Sequence, residues 1–327
     1  MRKTFKNRTI KYIMNFSKEY EIRFDENFGK GSFSKLLDAK RKYSNNSFIR
    51  INLSKTKIDN VEIFLKKNRV LFSKTFINNG IKIEKSFFNL SSSLLTLNGE
   101  LYLQDLASQV PVNCINFEAL KLMNKKIRIL DMCASPGSKT SQIIDLMEYN
   151  NIDFELVALE MEKIRIQRLI NNLQKQEFKN YEIYNIDALS FESQNKFDII
   201  FLDAPCSGNL IEDKNWLNKR DFKGIKERAE IQKKLLKKAD SLLANNGFLI
   251  YSTCSLELEE NEENAIWALK NLNLKNIKCN LKFPFETAPE KIIKNDKIKN
   301  SLKGINCIRF MPYLSRTQGF FICCYRK

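Results

Sequence analysis

The chain has 327 residues, a formal net charge of +17 and 43% hydrophobic residues, so it is long enough for two domains with cores of their own. No apolar run approaches the roughly 20 residues that span a bilayer, and the basic N-terminus lacks the apolar stretch of a secretory signal. The chain contains no histidine, and its eight cysteines form no Cys-x-x-Cys pair. We therefore expect reduced thiols in the cytoplasm, no metal site, and proton transfers carried by Asp, Glu, Lys, Cys or water.

Positive charge is concentrated in the N-terminal third of the chain. Residues 1–100 contain 21 Lys and Arg against 9 Asp and Glu, a net charge of +12. This asymmetry indicates a polyanionic partner that is contacted mainly through this part. Residues 1–47 have the pattern of a basic helical segment, and "SFIRINLSKTKIDNVEIFLKKN" (Ser47–Asn68) predicts a strand, a turn and a helix. We expect residues 48–117 to form a small α+β domain.

From residue 127 onward, apolar strands alternate with amphipathic helices. The predicted strands are Ile127–Met132, Phe154–Glu160, Tyr181–Asp187, Phe197–Asp203, Gly247–Thr253 and Gly319–Tyr325. The predicted helices are Lys139–Glu148, Lys163–Gln176, Glu230–Leu243 and Asn261–Leu272. Continuous apolar strands separated by helices are typical of a parallel sheet that is covered on both faces. Residues 118–327 therefore predict an α/β domain with a doubly wound, Rossmann-like sheet.

The first βα loop combines residues that are rare in this chain. The segment "ILDMCASPGSKTSQI" (Ile129–Ile143) places Pro136 and Gly137 between the first predicted strand and its helix. A helix N-terminus offers backbone N–H groups, and glycine permits close approach of a ligand. A single glycine-containing loop is also compatible with an ordinary βα turn.

Three predicted strands end in an acidic residue: Glu160, Asp187 and Asp203. In open α/β sheets, ligands bind outside the carboxyl ends of the strands. An acid after the second strand suits the two hydroxyls of a ribose. Because the glycine loop lacks the Gly-x-Gly-x-x-Gly pattern of dinucleotide binders, we expect a nucleoside-bearing cofactor without phosphates.

Two later loops each place a cysteine at the same sheet edge. "DAPCSGN" (Asp203–Asn209) follows the fourth predicted strand and "STCSLELEENEENA" (Ser252–Ala265) follows the fifth. Structural cysteines tend to lie within an element, as we expect for Cys323 and Cys324. Cys206 and Cys254 instead begin loops next to the three acids, which indicates nucleophilic chemistry.

These motifs resemble a known family. "DMCASPGSKT", "DAPCSG" and "YSTCSLELEENEE" are similar to the three signature motifs of the Sun/NOL1/NOP2 (NSUN and RsmB-like) RNA cytosine-5 methyltransferases. "RIN" (Arg50–Asn52), "YLQDLAS" (Tyr102–Ser108) and "RFMPYLSRTQGFF" (Arg309–Phe321) extend the resemblance over about residues 48–327. The chain departs from the family at Tyr313, where histidine is usual, at Gln318, where an acid is common, and at Glu160, where aspartate is more common. These departures leave ribosomal and transfer RNA open as substrates.

The resemblance implies a class I methyltransferase fold with an antiparallel last strand and S-adenosylmethionine as cofactor. Glu160 would hold the ribose hydroxyls, Asp187 the adenine side, and Asp203 the methionine or target-base side. The full set of implied cofactor-binding residues is Cys133, Ala134, Ser135, Pro136, Gly137, Ser138, Lys139, Glu160, Arg165, Asp187 and Asp203. The small N-terminal domain would bind RNA, and we expect the enzyme to be a monomer.

The resemblance also implies a covalent mechanism. The thiolate of Cys254 would add to carbon 6 of cytosine so that carbon 5 can accept a methyl group, and Cys206 would assist release. Asp203 would contact the base near ring nitrogen 3, while Lys139 would contact the base or lower a thiol pKa. The target base must be unstacked, because carbon 6 is hidden in a helix.

Two alternatives use other classes of function. The first is a non-catalytic RNA-binding or ribosome-assembly factor on a methyltransferase scaffold, which the intact cysteines and acids disfavour. The second is a DNA cytosine methyltransferase, in which the Pro-Cys cysteine is the nucleophile. Residues 210–246 are too short for the separate target-recognition region that such an enzyme should carry.

Overall fold

The computed structural model describes residues 17–327. The described chain opens in a helix that extends to residue 28 (α1), and a second helix follows, α2 (Ser32–Tyr43). Both helices fall in the segment that was predicted to be helical, and the prediction for residues 1–16 lies outside the described residues. Phe24 and Phe33 pack in one cluster with Trp216 and Leu256, so the N-terminal helices lie against the loops that follow two strands of the large sheet.

A small antiparallel sheet follows. Its elements are β1 (Ser47–Ile51), α3 (Ile58–Lys67), β2 (Leu71–Lys74), β3 (Gly80–Lys85), a 3₁₀ turn (Leu90–Ser92), α4 (Leu94–Leu97) and β4 (Leu101–Leu103). The strand order is β2-β3-β1-β4. Alternate residues of β1, Ile49 and Ile51, are fully buried against Val61 and Leu65 of α3. The predicted strand, turn and helix of Ser47–Asn68 are thereby confirmed.

The large domain contains an eight-stranded sheet. Its strands are β5 (Ile127–Asp131), β6 (Phe154–Leu159), β7 (Tyr181–Tyr184), β8 (Phe197–Asp203), β9 (Leu243–Thr253), β10 (Lys275–Ile277), β11 (Cys307–Phe310) and β12 (Phe320–Arg326). The helices are α5 (Leu106–Asn113), α6 (Phe117–Leu122), α7 (Ser138–Tyr149), α8 (Lys163–Lys175), α9 (Trp216–Lys219), α10 (Phe222–Leu242), α11 (Glu262–Asn271), α12 (Pro289–Ile292), α13 (Asp296–Ser301) and α14 (Pro312–Ser315).

The sheet is doubly wound, as predicted. The strand order is β10-β12-β9-β8-β5-β6-β7, with β11 paired to β12. β5 pairs in parallel with both β6 and β8, whereas β12 runs antiparallel to β9. The chain reverses its winding direction between β5 and β8, and ligands bind at the carboxyl ends of such a switch point. The loops after β5 and β8 are the ones that carry Gly137 and Cys206.

Helices cover both faces of the sheet, and neighbouring residues of one strand pack on opposite faces. In β5, Ile129 packs in the cluster that contains Ile143 of α7, while Leu130 packs with Leu236 of α10 on the other face. Helix α5 also belongs to this core, because its Val110 is fully buried in the cluster of Ile129. The domain boundary near residue 118 stays a prediction.

Several element bounds differ from those predicted. Helix α10 begins at Phe222 rather than at residue 230, because the Asp221 side chain accepts a hydrogen bond from Gly224 N–H at 2.7 Å and caps the helix there. Strand β7 ends at Tyr184, so Asp187 lies in the following loop. Strands β10 and β11 were not predicted.

Candidate active site

The loop between β5 and α7 depends on one glycine. Gly137 has a φ of +100°, and a Cβ at this position would lie 2.9 Å from Leu169 of α8. Its N–H donates to Ala134 O at 2.7 Å, and Ala134 N–H donates to Leu159 O at 3.0 Å at the end of β6. Glycine is required both for the left-handed backbone and for the close approach of α8. The N-terminus of α7, with Ser138 as its first residue, therefore lies at the carboxyl edge of the sheet.

Helix α8 holds the same loop from one side. The Ser135 hydroxyl donates to Arg165 O at 2.9 Å, and the Arg165 guanidinium donates to Ser135 O at 3.0 Å. Asn172 Nδ2 donates to Pro136 O at 2.7 Å. Three backbone-directed hydrogen bonds thus fix the loop, and Arg165 acts on it through the main chain.

The acids that follow β6 and β7 lie in the loops at this edge. Glu160 is buried, and its Oε1 accepts a hydrogen bond from Glu162 N–H at 2.9 Å. Its other oxygen, Oε2, lies 3.7 Å from the Arg165 guanidinium. Asp187 accepts from Leu189 N–H at 2.9 Å in its loop. The Glu160 carboxylate therefore keeps accepting capacity on Oε2 for a ligand.

Asp203 at the end of β8 is paired with Lys139 at the start of α7. Lys139 Nζ lies 2.7 Å from Asp203 Oδ2, and the Ser252 hydroxyl donates to Asp203 Oδ1 at 2.7 Å. Burial disfavours the charge of Lys139, yet attraction to Asp203 outweighs burial and raises the pKa of Lys139 above its usual value. The ammonium also lies 5.1 Å from the centre of the Phe320 ring. The site therefore holds a fixed positive charge beside an aromatic face.

The two predicted catalytic cysteines come together. The Sγ atoms of Cys206 and Cys254 are 3.2 Å apart, although 48 residues separate them in the sequence. The hydrogen bond with Cys206 raises the pKa of the Cys254 thiol, and burial and the negative charges of Glu212 and Asp203 raise it further. Cys254 is therefore a neutral thiol at rest, and its attack on a substrate requires a proton acceptor.

Cys133 is a third cysteine at this edge. Burial, followed by the charges of Asp131 and Asp203, raises the pKa of its thiol. Cys133 therefore remains protonated and is a poor nucleophile. All eight cysteines of the chain fall within the described residues, and all are free thiols. Cys323 and Cys324 are buried within β12, as predicted.

A buried glutamate joins the two cysteine loops. Glu260 is fully buried, and it accepts hydrogen bonds from Ser207 N–H at 2.9 Å, from the Ser255 hydroxyl at 2.9 Å and from Gln232 Nε2 at 2.8 Å. Ser207 and Ser255 each follow one of the catalytic cysteines directly. Glu260 therefore fixes the distance between Cys206 and Cys254, a role that the acidic run "ELEENEE" did not reveal.

Two further residues were missed as parts of the site. Arg50 of β1 is fully buried and donates to Ser138 O at 2.8 Å, which connects the small sheet to the start of α7. Asp105 accepts hydrogen bonds from the backbone N–H groups of Ala107 at 2.8 Å and Gln318 at 3.4 Å. Burial raises the pKa of Asp105 to about 6. Both residues lie in motifs that carried the family resemblance, which was the available signal.

Within residues 17–327, no group of three His, Cys, Asp or Glu side chains is arranged to hold a metal ion. No helix in the same range is both long and apolar enough to cross a membrane. The groups that the sheet edge offers are two thiols, the Lys139–Asp203 pair and nearby carboxyl groups.

Solved structures with the same architecture identify the class of fold. A methyltransferase homolog protein from Pyrococcus horikoshii is 29% identical, with a TM-score of 0.76 over 98% of this chain and 97% of that one. NSun6 from the same organism is 22% identical, with a TM-score of 0.78 over 94% and 97%. The fold is that of the class I methyltransferases, with a small N-terminal domain, as predicted.

Sequence comparison identifies the family. The family model described as 16S rRNA methyltransferase RsmB/F matches residues 117–326. The human 28S rRNA (cytosine(4447)-C(5))-methyltransferase is 31% identical over 255 residues, which are 76% of this chain and 30% of that protein. Ribosomal RNA small subunit methyltransferase F of Psychromonas ingrahamii is 30% identical over 289 residues, which are 85% and 56% of the two chains.

The tRNA (cytosine(72)-C(5))-methyltransferase of Pyrococcus horikoshii is 33% identical over 200 residues, which are 61% of this chain and 46% of that one. The chain belongs to the RsmB/F methyltransferase family, and the predicted relationship to the Sun/NOL1/NOP2 proteins is confirmed. It spans 30% to 56% of the length of these three curated relatives.

Proposed function

We propose that the protein is an S-adenosylmethionine-dependent RNA (cytosine-5) methyltransferase that makes 5-methylcytosine in ribosomal or transfer RNA. The observation that carries this proposal is the convergence of two thiols, 3.2 Å apart, beside the Lys139–Asp203 pair. A cysteine pair at the catalytic edge of a class I fold suits addition to a pyrimidine ring followed by release. A non-catalytic RNA-binding protein with the same fold would not need Glu260 to hold the loops of Cys206 and Cys254 together.

The residues at the sheet edge fit the proposed cofactor. Bound S-adenosylmethionine would supply the methyl group as an electrophile. Residues 133–138 would approach it with their backbone, and the available Oε2 of buried Glu160 would accept from a ribose hydroxyl. Asp187 would face the adenine side, and Arg165 would orient Glu160 and the loop. The absence of a pyrophosphate in this cofactor agrees with a loop that contains a single glycine.

We assign Cys254 as the nucleophile that attacks carbon 6 of the cytosine ring. Addition of the thiolate moves electron density to carbon 5 and ring nitrogen 3, which makes carbon 5 able to accept a methyl group. The positive charge of Lys139, which interacts with Cys254 and is paired with Asp203, stabilises the negative charge that develops. Cys206 adjoins the nucleophile and assists release of the methylated base. The buried ring of Phe320 packs under the Lys139 ammonium and helps to hold that charge in place.

The proposed substrate class rests on charge and on the family. The net charge of +12 in residues 1–100 suits a phosphate backbone. We infer that the small sheet domain and the basic N-terminal segment make most of these contacts. The relatives named above act on ribosomal or transfer RNA, so both remain candidates for this chain.

The test compares RNA from a strain that lacks the gene with RNA from the same strain carrying either the wild-type gene or Cys254→Ala. Bisulfite sequencing should show a cytosine that is protected only when the wild-type gene is present. Equal protection in all three strains would contradict the proposed function. Protection restored by Cys254→Ala would leave the activity but reject Cys254 as the nucleophile.

A further inference from the structure

Glu212 is a carboxyl group beside the catalytic thiols that belongs to none of the motifs discussed above. It follows "DAPCSGN" by three residues and interacts with the Cys254 side chain. Asn209, which is almost fully buried, places it there. Asn209 Nδ2 donates to Cys254 O at 2.8 Å and to Glu212 Oε2 at 3.5 Å, and Asn209 Oδ1 accepts from Glu212 N–H at 3.3 Å. One amide side chain thus connects the backbone of the nucleophile to the glutamate.

Other carboxyl groups near the thiols are already engaged. Asp203 accepts from Lys139 and from Ser252, one on each oxygen. Asp105 accepts backbone hydrogen bonds from the N–H groups of Ala107 and Gln318. Among residues 17–327, the Glu212 carboxyl group has the long contact with Asn209 and its interaction with the thiol, and solvent reaches part of its side chain. It can therefore accept a proton from the thiol and pass it to water.

We propose that Glu212 is the general base that takes the thiol proton of Cys254 during attack on the target cytosine. In this step, which rests on the proposed function, the S–H proton moves to the carboxylate as the bond between sulfur and carbon 6 forms. The electron pair of the carbon 5–carbon 6 double bond moves toward carbon 5 and ring nitrogen 3. No oxidant or reductant is needed, and the carboxylic acid then loses its proton to solvent.

The electrostatics around Glu212 suit this role. Although solvent reaches part of the side chain, the carboxyl group itself is largely desolvated. This desolvation, followed by the negative charges of Asp105 and Asp203, raises the pKa of Glu212 to about 7, against the opposing effect of Lys139. Glu212 in turn raises the pKa of Cys254. The groups that face Glu212 are thus Asp105 before α5, Lys139 of α7, Asp203 of β8 and Cys254 after β9. A general base is most effective when its pKa lies near the working pH.

The test uses Glu212→Gln in the full chain, with Asp213→Asn as the matched control. Asp213 lies in the same loop and pairs with Lys219 at 2.9 Å, so removal of its charge should leave the thiols unaffected. Three quantities are measured for each protein: S-adenosylmethionine affinity by calorimetry, methylation rate between pH 6 and pH 9, and iodoacetamide alkylation of the Cys254 peptide by mass spectrometry.

We expect Glu212→Gln to bind the cofactor normally and to methylate RNA more slowly at pH 7, by roughly the 10²- to 10⁴-fold that a general base contributes. The rate of the wild type should rise through pH 7, and this rise should move to higher pH in the variant. Alkylation of Cys254 should nevertheless become faster, because the variant lacks a negative charge that holds the thiol proton. Slower methylation together with faster alkylation is the signature of a base.

Other outcomes overturn the proposal. If methylation and alkylation both become faster, Glu212 acts only through its charge. An unchanged rate and pH profile, or an equal loss in Asp213→Asn, would also reject the role, as would loss of cofactor binding together with activity. If the wild type itself methylates no RNA in the same assay, the proposed function fails, and the role of Glu212 fails with it.

Discussion

The Glu160→Ala variant tests the cofactor site. Glu160 Oε1 is already engaged with Glu162 N–H, so the ribose would depend mainly on Oε2, which lies 3.7 Å from Arg165. A hydrogen bond to a charged group contributes about 1.5–3 kcal/mol. Removal of the carboxylate should therefore raise the dissociation constant of S-adenosylmethionine by roughly 10- to 150-fold. Glu160→Gln keeps the shape and one acceptor, so its loss should be smaller.

Calorimetric titration with S-adenosylmethionine measures this effect. Glu162→Gln is the matched control, because Glu162 is exposed, carries the same charge and lies two residues away. Because Glu160 is buried, thermal melting of each variant must show that the domain is folded. Unchanged affinity in a folded Glu160→Ala protein would remove Glu160 from the cofactor site, and an equal loss in Glu162→Gln would show that only net charge matters.

Two further predictions concern the N-terminal third and its contacts. Three basic residues of the small domain are exposed: Lys67, Arg69 and Lys85. Their replacement by glutamine should reduce the steepness of the slope of log RNA affinity against log salt by about 0.7 to 0.9 for each phosphate contact that is lost. The same change at Lys270, Lys275 and Lys278 should leave the slope of log affinity against log salt unchanged, and equal slopes for both variants would reject the proposed RNA surface. Burial raises the pKa of Glu257 from 4.5 to about 7, so the folded protein binds this proton more tightly than the unfolded chain does. The protonated carboxyl group therefore stabilises the fold at low pH, and this contribution to the free energy of unfolding is lost as the pH rises from about 4.5 to 7. Glu257→Gln keeps an acceptor for the Tyr20 hydroxyl, so it should raise the melting temperature at pH 8 but not at pH 4. An equal rise at both pH values would show that the charge of Glu257 is not the cause.

The sequence predicted those strands and helices that have a clear hydrophobic pattern. The strands β5, β6, β8 and β9 were predicted because they are continuous apolar runs. Strand β11 was missed because a charged residue interrupts it: Arg309 is fully buried, and the partner that makes this possible, Glu262 of α11 at 2.5 Å, is 47 residues away. The first turns of α10 were missed because "FKGIKER" is polar and contains a glycine, although Asp221 was a visible capping signal.

The candidate site shows the same division. Asp203, Cys206 and Cys254 could be placed together because the carboxyl ends of parallel strands meet at one edge, and the family resemblance added Lys139. Glu212 could not, because it follows no strand and appears in sequence as one of several charges in "IEDKNW". Its position depends on Asn209 reaching the backbone of Cys254 across 45 residues of sequence. Such a contact is determined by tertiary packing, which a local pattern does not encode.

Under the proposed function, the two adjacent thiols act in opposite steps of one covalent reaction. The measurement is a denaturing gel of Cys254→Ala and Cys206→Ala after incubation with RNA and S-adenosylmethionine, with Cys279→Ala as a control outside the site. We predict no adduct and no methylation for Cys254→Ala, and a protein–RNA adduct containing the methylated base for Cys206→Ala. The control should methylate RNA and release it. If Cys254→Ala instead traps the adduct and Cys206→Ala does not, the nucleophile is Cys206 and the assignment is wrong.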